Sequence, residues 1–205
     1  MGKKHALTLA DLGDTIELTD LDFKAGPKVK DYDSLLLCTP PETHASLIRQ
    51  LAEYSIPLFV EKPVINSLNE SAIAYPGKSM VACNWRWCND ITTRGRNSIE
   101  CEYQNAKPHD IIHFVDRFWE EHRGVKTAWR GQEYLILEDR KHMLKVRISE
   151  SRETKSLFNS VSIEHQCDMF VKQMQSWRST IRGEQEINPI SKAAQRTTWL
   201  LKLLS

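Results

Sequence analysis

From the start of the chain to about residue 83, apolar positions switch between helical spacing and short continuous runs. Ala6, Leu7, Leu9, Ala10 and Leu12 predict a helix over Lys3 to Leu12, stopped by Gly13. Thr15 to Thr19 reads as a short strand. Ser34 to Cys38 reads as a second strand, and its unbroken Leu35-Leu36-Leu37 suits burial on both faces. Thr39-Pro40-Pro41-Glu42-Thr43 ends that strand and starts a helix over His44 to Tyr54, because proline is tolerated in a first helical turn. Ile56 to Val60 follows as a strand, Ser67 to Ala74 as a polar helix and Ser79 to Cys83 as another strand. Strands alternating with helices over brief turns predict an α/β unit with a parallel sheet and right-handed crossovers.

Beyond Asn84 the pattern changes to α+β. Ser98 to Tyr103, Tyr134 to Leu137 and Met143 to Ser149 read as strands without regular intervening helices, while Ile111 to Glu121 and Gln166 to Arg182 read as amphipathic helices. Ala194, Thr198, Leu201 and Leu204 mark a closing helix over Ser191 to Leu204, with Asn188-Pro189 as its start signal. The expected organisation is therefore a first domain over 1–83 and a smaller α+β domain over 84–205. No internal repeat and no low-complexity stretch interrupts it.

Composition narrows the classes. With 205 residues, 40% apolar and 27% charged, the chain is expected to fold, as one full domain or two small ones. Its 28 Lys plus Arg against 27 Asp plus Glu leave +1, too little field to draw in a nucleic-acid backbone or an anionic membrane. No apolar run approaches the roughly 20 residues that span a bilayer, and Met1 to Ala10 carries no signal-like apolar core. The five cysteines, Cys38, Cys83, Cys88, Cys101 and Cys167, are odd in number and form no CxxC pair, which fits a reduced cytoplasmic protein. The Asn69-Glu70-Ser71 sequon is then incidental.

Three stretches carry chemistry in a fixed order: Cys38-Thr39-Pro40-Pro41-Glu42-Thr43-His44, then Phe59-Val60-Glu61-Lys62-Pro63, then Asn84-Trp85-Arg86-Trp87. Together they resemble the glucose-fructose oxidoreductase and inositol dehydrogenase (Gfo/Idh/MocA) family of nicotinamide-dependent oxidoreductases. The tail, Phe170 to Pro189 with Ile181-Arg182-Gly183, is similar to that family's closing helix and Arg-Gly-x-x-x-x-Asn-Pro turn. The resemblance implies a Rossmann-like parallel sheet with NAD or NADP at the carboxyl ends of its strands. Thr39, Pro40, Pro41 and His44 would lie on the nicotinamide and ribose side, together with Glu61, Lys62 and Pro63. A cis peptide before Pro63 would aim Lys62 at the cofactor and the substrate hydroxyl, which a lysine can orient or deprotonate. Asn84 and Arg86 would contact the substrate; for Arg86 the competing reading is plain surface placement.

Asp20 falls where an acidic residue of a dinucleotide fold accepts the adenosine ribose hydroxyls, which favours NAD; Asp22 competes, and a turn carboxylate is the bland alternative. The family's second catalytic element is an Asp-x-x-x-His on a helix, whose histidine exchanges a proton with the hydroxyl being oxidised. The best match is His113-Phe114-Val115-Asp116, but His109 replaces the aspartate, Asp110 stands one place off, and the Gly-rich lead-in is absent. His113 is thus either the proton carrier or a half-buried helix histidine.

Against that family the chain is expected to lack the first strand and most of the Gly-x-Gly-x-x-Gly loop, of which Gly2 matches the last glycine. A lost central strand would leave backbone groups unpaired at about 1 to 3 kcal/mol each. Asp22 to Ser34 is also short for a crossover helix and strand, and the second domain is small for the family's broad sheet. Either the sequence is part of a longer reading frame, or it is a reduced relative.

Competing constellations are weaker. His109, His113 and Asp116 can share a helix face, yet no fourth ligand is placed by spacing, so no metal is expected. Of six tryptophans, Trp85 and Trp87 are interleaved with Arg86, Arg94 and Arg96, but core and cleft packing fits them better than base stacking at near-zero net charge. Cys38 with His44 suggests a nucleophile, but its strand-end place favours an inert buried thiol. Glu150 to Lys155 reads as a solvated turn. The function expected is hydride transfer between NAD(P) and a hydroxyl or carbonyl of a sugar, cyclitol or similar polyol, with Lys62 and His113 catalytic. The alternative is a non-catalytic remnant that binds a partner, or itself as a homo-oligomer, through the second-domain sheet.

Overall fold

The computed structural model describes residues 1–19, 25–87, 98–104, 112, 115–116, 119, 127–130, 134–138, 143–149 and 163–204. It divides into two compact units, Met1–Cys83 with Phe170–Thr198, and Asn84–Met169 with Trp199–Ser205. Phe170–Thr198, which the sequence pattern groups with 84–205, thus packs within the first unit.

The first unit is α/β. Helix α1 (Gly2–Asp11) buries His5 and Leu9, one turn apart, and ends where the Gly13 and Asp14 amides return to Ala10 and Leu9 carbonyls at 2.9 and 3.0 Å. Gly13, at φ +90°, supplies the left-handed residue that this cap needs. Strands β1 (Leu35–Leu37), β2 (Leu58–Val60) and β3 (Ser79–Val81) form a parallel sheet in the order β1-β2-β3. The register sets Leu36 beside Phe59 and Phe59 beside Met80. Leu58, Phe59 and Val60 are wholly buried, which accounts for the unbroken apolar run of the central strand. Helix α2 (Pro41–Ala52) begins with a proline in its first turn and turns Ala45, Ile48 and Leu51 inward.

The free side of β3 is closed from far along the chain. Asn188 accepts the Val81 amide on its own carbonyl, and its side-chain amide donates to the Val81 carbonyl, both at 2.9 Å. The Ile190 amide donates to Ser79 Oγ at 3.2 Å. One asparagine therefore occupies the place of a fourth strand and blunts an edge. It sits between helix α3 (Ile163–Arg182) and helix α4 (Ile190–Leu204), and it is buried with φ +49°. On α3, Trp177 packs on Phe59 with ring centres 5.8 Å apart, and Arg178 donates to the Leu12 carbonyl at 3.0 Å.

The second unit holds a mixed sheet of β4 (Ser98–Gln104), β5 (Thr127–Arg130), β6 (Tyr134–Glu138) and β7 (Met143–Ser149) in the order β4-β7-β6-β5. β4 runs parallel to β7, and the remaining pairs are antiparallel. Ile112, Val115, Asp116 and Trp119 are helical, and the first three are buried. The Trp119 and Trp199 rings meet edge to face at 5.6 Å.

Most predicted elements are present, and three differ. Thr15–Thr19 forms no strand, because among the described residues β1 pairs only with β2; Leu18 is 74% exposed. Ser67–Ala74 holds only a short 3-10 turn, Leu68–Glu70. There the Glu70 carboxylate takes the Asn66 and Ser67 amides at 2.8 and 3.2 Å, and Ile73 is the sole buried apolar side chain of the segment. β5 was not anticipated, since Thr-Ala-Trp-Arg carries too short an alternation to announce a strand.

Replacing Asn188 with alanine removes buried hydrogen bonds and forces a Cβ-bearing residue without a local polar contact into the left-handed region. We expect Asn188→Ala to cost about 3 kcal/mol in urea unfolding, and Asn188→Gly about 1 kcal/mol less because glycine accepts that backbone freely.

Candidate functional site

The carboxyl ends of β1 and β2 carry the two motif turns, and such strand ends are where parallel sheets bind ligands. After β1 the chain passes through Cys38 and Thr39 into Pro40, the residue before α2. Thr43 Oγ1 donates to the Pro40 carbonyl at 2.8 Å and lies 2.7 Å from the Thr39 hydroxyl, so both threonines brace this turn. After β2, the Glu61 amide extends the ladder by donating to the Leu37 carbonyl at 2.8 Å. The chain then turns through Lys62 and Pro63 with a cis peptide between them, as the resemblance implies. Lys62 is half-buried.

Two buried histidines tie these turns in place. His5 of α1 joins its Nε2 to a Glu61 carboxylate oxygen, and the other carboxylate oxygen accepts the Lys62 amide at 3.2 Å. The His5 ring is fully buried, edge-on to Phe59 and Phe170 at 5.1 and 5.4 Å. His44 of α2, also fully buried, sets Nδ1 2.8 Å from the Pro63 carbonyl and Nε2 2.8 Å from the Thr39 carbonyl. Both ring nitrogens are thereby engaged by the protein itself.

A third element reaches the same place. A Cβ added to Gly2 would stand 3.1 Å from Cys38 Cβ, so α1 begins close against the end of β1 and a larger residue there would need Cys38 to give by a few tenths of an ångström. The first turn of α1 has no side-chain cap and no acidic residue, and Lys3 and Lys4 are exposed on it. The positive dipole end of such a helix start suits an anion such as a dinucleotide pyrophosphate. The residues present therefore fit a nicotinamide dinucleotide: an anion-tolerant helix start at Gly2, a turn at Thr39–Pro41 and a lysine at Lys62.

Burial, and next the negative charge of Glu61, push the Cys38 thiol up to about 12, with the amino terminus opposing. A thiol so reluctant to ionise is an inert strand-end packing group, as its position suggested.

The other predicted residues fare differently. Asp20 and His113 lie outside the described residues, as does the side chain of Asn84, whose backbone starts a 3-10 turn over Asn84–Trp87. Arg86 gives its fork to Asp116, Nε to Oδ2 at 2.6 Å and Nη2 to Oδ1 at 2.7 Å, with little of either side chain exposed. The Arg86 guanidinium is thus held in a fixed plane. His5 escaped the sequence reading, which took the inner face of α1 from its apolar residues; Leu7 is in fact 59% exposed. The available signal was a histidine one turn before Leu9 together with a strand-end glutamate in need of a partner.

Residues 4–75 match the model of a family described as an oxidoreductase family with an NAD-binding Rossmann fold, the Gfo/Idh/MocA group. The whole chain is similar in fold to the WlbA dehydrogenase of Thermus thermophilus, solved with NAD and UDP-GlcNAcA. The identity is 14%, 99% of this chain and 91% of that one are covered, and the TM-score is 0.66. It is also similar to a myo-inositol dehydrogenase of Corynebacterium glutamicum, at 15% identity, 85% and 77% coverage and a TM-score of 0.64. No curated protein matches the chain.

Cys38 provides a check on this electrostatic picture. A rise from 9.0 to about 12 removes roughly a thousandfold of its thiolate at pH 8, partly offset by greater basicity. We expect iodoacetamide to label Cys38 about thirty- to sixty-fold more slowly than a thiol in an unstructured peptide, followed by peptide mass spectrometry.

Proposed function

We propose that this protein is a nicotinamide-dependent oxidoreductase, a reading supported by the match of residues 4–75 to the model of the NAD-binding Rossmann-fold oxidoreductase family. Its substrate is a hydroxyl or carbonyl of a sugar, cyclitol or similar polyol. The observation that carries the reading is the junction of three elements: Gly2 against Cys38, His5 on Glu61, and His44 across Thr39 and Pro63. That junction fixes the helix start, the Thr39-Pro40-Pro41 turn and the Glu61-Lys62-Pro63 turn, the three parts that the sequence assigns to the cofactor. The sugar-nucleotide and inositol dehydrogenases of similar fold support the substrate class.

A nicotinamide cofactor, when bound, supplies the hydride acceptor or donor. The chain supplies the rest. The Lys62 ammonium orients the substrate oxygen by hydrogen bonding. His113 takes the hydroxyl proton as the carbon gives up its hydride, and returns it in the reverse direction. Asn84 and Arg86 hold further hydroxyls, with Arg86 pre-oriented by Asp116. Asp20 receives the ribose hydroxyls, which favours NAD over NADP.

NADH fluorescence should rise on titration with the full chain. With NAD and a panel of polyols, Lys62→Ala should lower kcat by about 10²-fold or more while leaving NADH affinity within a few-fold. Absence of NADH binding, or full activity of Lys62→Ala, overturns the reading, and the former would favour a non-catalytic remnant.

A further inference from the structure

A chain of hydroxyls runs through the turn between β1 and α2, and counting protons fixes its direction. The Pro40 carbonyl only accepts, with one lone pair for the Thr43 amide at 3.0 Å and one for Thr43 Oγ1 at 2.8 Å. A threonine hydroxyl carries a single proton, so that of Thr43 is engaged by Pro40. The Thr39 hydroxyl lies 2.7 Å from Thr43 Oγ1, a separation at which two hydroxyl oxygens share a proton. Thr39 must supply it, since the opposite direction would set a Thr43 lone pair against the Pro40 carbonyl. We infer that Thr43 commits the Thr39 proton inward, so that the Thr39 hydroxyl meets the cofactor as a hydrogen-bond acceptor alone and selects a donor group on its nicotinamide half.

Geometry and polarisation both favour that role. Thr39 is half-buried at the carboxyl end of β1, and its own carbonyl stands 2.8 Å from His44 Nε2, which holds the backbone that carries the hydroxyl. A hydroxyl that donates within a chain becomes a better acceptor, so the bond from Thr39 to Thr43 strengthens the lone pair that Thr39 offers. The donors on the nicotinamide half of a dinucleotide are its ribose hydroxyls and the N–H groups of its carboxamide. A phosphate oxygen or the carboxamide oxygen, which only accept, would face a lone pair at Thr39. Thr43, in the first turn of α2, acts through Thr39 and is a positioning residue.

The selection of a donor rests on the function proposed above, whereas the direction of the chain does not, and the test separates them. Neutron diffraction from crystals of the deuterated full chain should show the Thr39 deuteron aimed at Thr43 Oγ1 and the Thr43 deuteron aimed at the Pro40 carbonyl. A Thr43 deuteron aimed at Thr39 overturns the inference, whatever the activity. In calorimetric titrations we expect Thr39→Val to weaken NADH binding about tenfold, and Thr43→Val about threefold because the released Thr39 proton then opposes the cofactor's donor. Thr43→Ser, which keeps the chain, should restore the affinity. Unchanged binding in Thr39→Val refutes the acceptor role, and unchanged binding in Thr43→Val refutes the part given to Thr43. The acetylpyridine analogue of NADH, which lacks the carboxamide N–H groups, identifies the donor. A loss in Thr39→Val that persists with the analogue assigns it to a ribose hydroxyl, and a loss that disappears assigns it to the carboxamide. A wild-type chain that binds no NADH removes the proposed function and the donor selection together, while the neutron map still decides the direction of the chain.

Discussion

Backbone groups that leave a strand must find new partners, and at the ends of β1 and β2 buried histidines provide them. The carbonyls of Thr39 and Pro63 lie beyond the reach of the ladder and of α2, and the His44 ring meets both. The Glu61 carboxylate would otherwise be a nearly buried charge, and His5 answers it. Two of these contacts join segments well separated in sequence, 56 residues apart for His5 and Glu61 and 19 for His44 and Pro63. The motif turns are therefore fixed by polar contacts from behind, and Lys62 and the Thr39–Pro41 turn are held by these buried side chains.

The apolar core does different work. Phe59 lies at its centre, wholly buried, with His5 on one side and Trp177 on another. Hydrophobic packing brings α1, α2 and α3 onto the sheet without specifying angles closely. The buried hydrogen bonds add the direction that packing lacks. At the outer edge of the sheet Asn188 does the same for β3, where its side chain mimics a peptide unit.

Legibility in the sequence follows this division. The strands were readable because three short apolar runs, each closed by turn residues, have few other uses. The Thr39–His44 and Glu61–Pro63 turns were legible through their resemblance to a known family, which also implied the cis peptide that the structure contains. Partnership was what the pattern could not show. Thr15–Thr19 has strand-like residues but no strand partner among those described, and the two readings of Arg86, substrate contact or surface placement, both leave out Asp116, 30 residues away, which holds its guanidinium. The resemblance pointed to His44 but not to the Thr39 and Pro63 carbonyls beside its ring, since a spacing does not reveal which atoms face it.

The closure of β3 by Asn188, 107 residues after Val81, has a consequence for how the protein is made. As the nascent polypeptide leaves the ribosome, the sheet emerges first and waits for a further 107 residues before its last edge is closed, with its tryptophan cover arriving shortly before. During that interval Phe59 lacks Trp177 and β3 offers open amides to any passing strand. Holding chaperones have a defined window in which to act, and it shuts only when the closing turn is released from the exit tunnel.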